Sequence, residues 1–162
     1  MKRMLSRLLL GAAICITAGS FAADAFAQEP TITQKRDFKF GSWAADPNAT
    51  GTVVIPPGSD TTTTTGGLFS FGGTIRRARF QVVGDSKAYV FIVLPSSFTI
   101  RKGTSNNYMT VSNFTMDRAN PIRLSNTGKR TINIGATLTV GANQTKGNYN
   151  DENTFTISAF YN

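Results

Sequence analysis

The 162-residue chain has no histidine and a single cysteine, and only 16% of its residues are charged. Without histidine there is no Ser-His-Asp or Cys-His catalysis and no imidazole metal site. One cysteine closes no intramolecular disulfide and builds no cysteine-rich zinc site. Long apolar runs are also scarce. The only one, Leu8 to Ile16, is followed by Thr17, Gly19, Ser20 and Asp24, and it falls short of the ~20 apolar residues a spanning helix needs. What is abundant is Thr, Asn and Gly, with 40% apolar residues, and a formal charge of +8. That apolar fraction is too high for a disordered tail.

The N-terminus reads as an address. Lys2, Arg3 and Arg7 precede the apolar run, and small residues lead to Ala25-Phe26-Ala27 before Gln28. A basic start, an apolar middle and an A-x-A site form a secretory signal peptide cleaved after Ala27. Residues 1–27 are therefore assigned to the signal. Residues 28–162 form one mature domain of 135 residues, with 14 basic and 8 acidic side chains. Cys15 leaves with the signal, so the mature chain has no thiol. Export places it in the periplasm, at the cell surface or outside the cell, without disulfides to hold it. A chain this long buries about two-thirds of its surface, enough for one core.

The dominant hydrophobic period of the mature chain is two. Ile132, Ile134, Ala136, Leu138 and Val140 alternate with Thr131, Asn133, Gly135, Thr137 and Thr139, the pattern of a strand with one wet face. Ala78, Phe80 and Val82 oppose Arg77, Arg79 and Gln81, and Phe155, Ile157, Ala159 and Tyr161 alternate with polar residues apart from Phe160. Ala88 to Leu94 is apolar on both faces and predicts a central strand covered on both sides, ended by Pro95. Further strands are predicted at Thr31 to Phe40, Thr52 to Ile55, Leu68 to Phe71, Phe98 to Arg101 and Tyr108 to Phe114. Thr61 to Thr65 reads as a surface loop or hairpin tip. About eight to ten short strands broken by Gly, Pro, Asn and Asp predict an all-β, immunoglobulin-like antiparallel sandwich.

Catalytic and metal constellations are thin. The mature carboxylates lie singly in turn-like sequence, apart from Asp151-Glu152, which reads as a solvated hairpin turn. Ser86-Lys87 reads the same way. No catalytic residue, cofactor site or metal site is assigned, and the chain is read as a non-enzyme. The basic residues Arg76, Arg77 and Arg79 surround Phe80 and are the candidate contact for a polysaccharide or an anionic surface. An exported domain makes nucleic acid an unsuitable partner, and the mature chain contains no membrane span. The C-terminus carries most information: its alternating strand runs to Tyr161, next to the last residue. Such a strand suits recognition by edge addition, with Phe155, Ile157, Ala159 and Tyr161 filling alternate pockets.

A series of short blocks then carries a family resemblance. They are Phe40-Gly41, Gly51-Thr52-Val53-Val54-Ile55, Gly72-Gly73, Ala78-Arg79-Phe80-Gln81-Val82, Tyr89 through Pro95, and Met109-Thr110-Val111 with Phe114. Gly135-Ala136-Thr137-Leu138-Thr139-Val140 follows, then Ala142-Asn143-Gln144, Gly147-Asn148-Tyr149, Phe155-Thr156-Ile157 and Tyr161-Asn162. In this order the sequence resembles the small secreted bacterial proteins of the domain of unknown function 4402 family. The resemblance implies a pilin-like β-sandwich in the periplasm or at the cell surface, with no enzyme activity.

Asp151-Glu152-Asn153 is more acidic than the family's usual turn there. The expectation is a structural, fimbrial-type subunit assembling into fibres by strand complementation, with a periplasmic chaperone as a partner. If the N-terminal strand is donated, Ile32, Phe38 and Phe40 are its plugs. Only Gln28 to Lys39 precedes Phe40-Gly41; if this strand belongs to its own domain instead, the chain is a self-complete monomer or a tip-like accessory subunit. The alternative is a monomeric binding module for carbohydrate or an anionic surface, with Trp43 or a tyrosine exposed in its site.

Overall fold

The computed structural model describes residues 28–150 and 155–162. Fourteen strands and no helix are seen among them. The strands are β1 (Thr31–Arg36), β2 (Lys39–Phe40), β3 (Trp43–Ala44), β4 (Gly51–Ile55), β5 (Thr63–Thr65), β6 (Phe69–Ser70) and β7 (Ile75–Arg76). They continue as β8 (Ala78–Val83), β9 (Tyr89–Val93), β10 (Ser97–Arg101), β11 (Tyr108–Met116), β12 (Ile122–Arg123), β13 (Lys129–Val140) and β14 (Ser158–Tyr161). Every strand pairing is antiparallel, so the fold is all-β.

The 12-residue β13 is the spine. Its first half pairs with β8 from Lys129↔Val83 to Ile134↔Ala78, and its second half pairs with β4 from Ala136↔Ile55 to Val140↔Gly51. Two strands thus share one edge of β13, and the hand-over falls at Gly135. A Cβ there would lie 2.4 Å from the Ile55 carbonyl oxygen and 2.6 Å from the Pro57 nitrogen, so the crossing backbone needs glycine. The opposite edge pairs with β11, and the order β1-β8-β13-β11-β10, with β4 attached to β13 and β5 to β4, completes a seven-stranded sheet.

A second sheet has the order β12-β9-β14. The Asn120 side chain extends its pairing, accepting from the Ile92 N–H at 3.0 Å and donating to the Ile92 carbonyl at 2.8 Å. One buried cluster draws on both sheets: Ala78, Phe80, Val82, Ile132 and Ile134 from the large one, Val90, Ile92 and Ile122 from the small one, with Leu124, Phe155 and Ile157. Under the other half of the large sheet lies a second cluster of Val53, Val111, Ala136, Leu138 and Val140. The alternating apolar face read from Ile132 to Val140 is buried throughout.

Three expectations change. Ala88 to Leu94 does form the middle strand of its sheet, but only Val90 and Ile92 are buried; Tyr89, Phe91 and Val93 face solvent beside Phe160. A three-stranded sheet has one packed face here, and apolar composition cannot report which face stays uncovered. Thr61 to Thr65 is not all loop. Thr63–Thr65 is an edge strand on β4, stabilised by β-branched side chains that suit an extended backbone. The strand predicted over Thr31 to Phe40 breaks into β1 and β2. A register shift between Gln34 and Arg36 bulges it, and the Gln34 amide donates to Asp37 at 2.9 Å across the break.

Candidate functional site

The N-terminal segment settles where the main cleft forms. β1 pairs with β8 within the same chain, from Thr31↔Val83 to Arg36↔Arg79, and among the described residues its other edge carries no strand. After the bulge, β2 pairs with β7 and β3 with β6 in ladders of two residues each. Gly41 takes φ +81° at the turn between them. There the Ser42 N–H donates to the Gly72 carbonyl at 2.8 Å and the Trp43 indole N–H donates to the Phe40 carbonyl at 2.5 Å. Residues 38–45 therefore run as a narrow wall in front of the second half of the large sheet.

Behind that wall is a cleft of about 1010 Å³. Phe38, Phe40 and Trp43 form the wall. Phe98, Ile100, Met109, Leu138 and Val140, from β10, β11 and β13, form the floor. The rim is the polar segment 144–150. Tyr149 holds this segment, its hydroxyl donating to the Thr145 carbonyl at 2.6 Å and accepting from the Gln144 amide at 2.8 Å. Asn150 exchanges both backbone hydrogen bonds with Arg101 at 2.9 Å, anchoring the rim to β10. At the inner end Phe155 lies against Phe38, Phe80, Phe98 and Phe114, with ring centroids 4.9 to 5.6 Å away.

Of the strand-exchange candidates, Phe38, Phe40 and Phe155 meet at this cleft. Ile32, Ile157, Ala159 and Tyr161 do not; they belong to the cluster between the sheets. Tyr161 also accepts the Asp85 N–H at 2.8 Å, tying the C-terminal strand to the turn before β9. Gln28, exposed, is the first described residue, whereas Ala25, Ala27 and the Asp151-Glu152 pair lie outside the described residues. Ser86 donates its hydroxyl to the Asn126 carbonyl at 2.9 Å within a turn.

Two of the three arginine candidates, Arg77 and Arg79, are hydrogen-bonded within the domain. The Arg77 side chain donates to the Pro57 carbonyl at 3.1 Å, and its backbone N–H donates to Asp60 at 3.0 Å. Arg36 reaches the same Asp60 oxygen at 2.8 Å. Arg79 donates to the Asn133 side chain at 3.1 Å, and Asn133 is held by Asp117. Burial pushes the Asp60 carboxyl up, but the Arg77 backbone hydrogen bond, the Arg36 charge and hydrogen bond, and the Arg77 charge outweigh it and hold the pKa below 3.8. Arg76 sits opposite Lys39 in the β2–β7 ladder.

The floor residues Ile100, Met109 and Val140 were visible in the sequence only as inward positions of strands. Their meeting beneath Phe38 and Phe40 depends on the pairing order of β10, β11 and β13, which no local pattern reports.

Comparisons with curated proteins and with solved structures each returned no match. A sequence model for the domain of unknown function DUF4402 matches residues 31–161, and the chain belongs to that family.

Proposed function

We propose that this chain is an exported, non-enzymatic structural subunit, a pilin-like β-sandwich that assembles into surface fibres by exchanging its N-terminal segment. The observation that carries the reading is the way residues 31–45 are held. The segment pairs through one edge of β1 and two-residue ladders, yet it supplies the aromatic wall of a large cleft with an apolar floor and a polar rim. Moving it away would open Phe98, Ile100, Met109, Leu138 and Val140 together. The same segment from a second copy, carrying Ile32, Phe38 and Phe40, has the shape and chemistry to refill the gap. Exchange of an identical element needs no new interface chemistry, because the contacts made in the assembly are those of the closed monomer. A chaperone strand along the free edge of β1 or β14 would protect the open form during export.

The register supplies a test. Thr33 lies opposite Gln81, and cross-strand neighbours at about 4.5–5.5 Å are within disulfide reach. The T33C/Q81C variant is expressed with its own leader, assembled in reductant and then oxidised. A ladder of covalent multimers on a non-reducing gel is the expected result, with filaments visible by electron microscopy. Linked monomers alone, or no assembly of the unsubstituted protein at any concentration, would overturn the proposal. Mass spectrometry of the same material should find Gln28 as the first residue.

A further inference from the structure

We propose that the outer face of the large sheet binds a single chain of an uncharged polysaccharide, laid across the strands along a row of threonines. The pairing registers place Thr99, Thr110, Thr139, Thr52 and Thr65 side by side on five successive strands, β10, β11, β13, β4 and β5. Two residues along, and so on the same face, a second row runs Ser97, Ser112, Thr137, Val54 and Thr63. Nine of these ten positions are hydroxyls. The Thr52 and Thr65 hydroxyls lie 2.6 Å apart, which places them on one surface. The first row is accessible along its whole length, each member half-buried or exposed, whereas Thr137 in the second is only 9% exposed.

The other side of the first row carries an aromatic platform. Tyr108 lies two residues before Thr110 and opposite Arg101, and is 56% exposed. An exposed tyrosine gives a sugar ring an apolar plane to stack on. Beside it, hydroxyls that both donate and accept match sugar hydroxyls of either sense.

Three features choose the ligand. First, neither row carries an ionised side chain although the chain has a net charge of +8; the nearest charge beside them is Arg101, opposite Tyr108, so an anion finds one cation at the margin and none along the rows. Second, the row runs from β10, at one end of the sheet, to the outer edge of β5, which pairs with no further strand among the described residues. Neither end closes it off along the row, which suits a polymer rather than a small sugar. Neighbouring strands lie about 4.8 Å apart, close to the advance of one pyranose along an extended glycan. Third, sheet twist turns adjacent strands by about 20–25°. Four steps across the row therefore rotate it far out of a plane, so a flexible single chain can follow it and a flat crystal face cannot.

The site shares no residue with the cleft lining, apart from the backbones of strands common to both, and does not depend on fibre formation. Affinity electrophoresis tests it, using the protein expressed with its own leader in gels containing hydroxyethylcellulose, laminarin or galactomannan, with dextran sulfate as the anionic comparison. At least one uncharged glycan should retard the protein, equally at low and high salt. Thr139→Lys and Tyr108→Ala should each weaken that retardation by at least about tenfold. Thr65→Lys, on the exposed edge strand, provides a variant that leaves the packed strands untouched and should weaken it too. Arg76→Ala should have no effect. Retardation by none of the three glycans, retardation by dextran sulfate alone, or retardation unchanged in Tyr108→Ala and Thr65→Lys would each overturn the proposal.

Discussion

Phe155 is where the two buried clusters come closest to being one. Its ring meets Phe80 of the cluster between the sheets, and Phe38, Phe98 and Phe114, which pack against both. Phe155→Ala should therefore cost about 3–5 kcal/mol, read as a shift of the denaturant midpoint. The period-two pattern assigned Phe155 an inward face but could not name its neighbours, which come from strands far away in sequence. Asp60 makes a smaller and pH-dependent contribution. Its folded pKa lies below the ordinary 3.8, so its stabilisation is complete above that value and fades as pH falls through the folded pKa. Asp60→Asn should lower stability at neutral pH by no more than about 1 kcal/mol for so exposed a carboxylate, read as a lower melting temperature. The gap between variant and parent should begin to narrow near pH 3.8 and close only once the pH lies below the folded pKa. A gap that persists in acid would mean that the carboxylate's charge is not what matters. Nothing in the sequence joins Asp60 to Arg36 and Arg77; the fold does, by bringing the end of β1 beside the start of β8.

Among the elements, β13 and β1 sit at opposite extremes. β13 is bonded to β8 and β4 along one edge and, from Ile134 to Thr139, to β11 along the other, and it buries one face from Ile132 to Val140, whereas among the described residues β1 is bonded to β8 alone and alternates exposed with half-buried residues. Amide exchange should separate them: β13 amides open only with global unfolding, while β1 amides exchange through a cheaper local opening. Equal protection in the two strands would remove the basis for a detachable N-terminal segment. The period of β13 was legible because a long strand with one packed face repeats the same choice many times. β9 was half legible, since its position in mid-sheet followed from its apolar run but its bare face of Tyr89, Phe91 and Val93 did not. β3, β7 and β12 have two residues each, too few for any period to appear.

At the scale of the molecule, shared aromatics couple the clusters. Phe38, Phe98 and Phe114 pack against both, so opening one cluster strips contacts from the other. The described domain should melt in a single transition, with Leu138→Ala and Val90→Ala, one substitution in each cluster, shifting the same midpoint by near-ultraviolet and far-ultraviolet dichroism alike. Two separable transitions would mean that the halves fold independently. The basic excess has no bearing on this coupling. Several of its arginines are satisfied by local acceptors, and the net charge acts through solubility and association rather than fold.

The sequence by itself determined the all-β class, the strands long enough to show their period, and family membership through blocks spread along the chain. Each of these depends on residues near one another in the chain, where alternation and turn chemistry operate. Only the tertiary structure decided that the N-terminal strand pairs at home, that Phe38 and Phe40 wall a cleft, and that five separate threonines align across five strands. Those facts depend on strand order and register, which arise from contacts between segments far apart in the chain. A slip of one residue in any pairing would turn that strand's side chains to the opposite face and break the row.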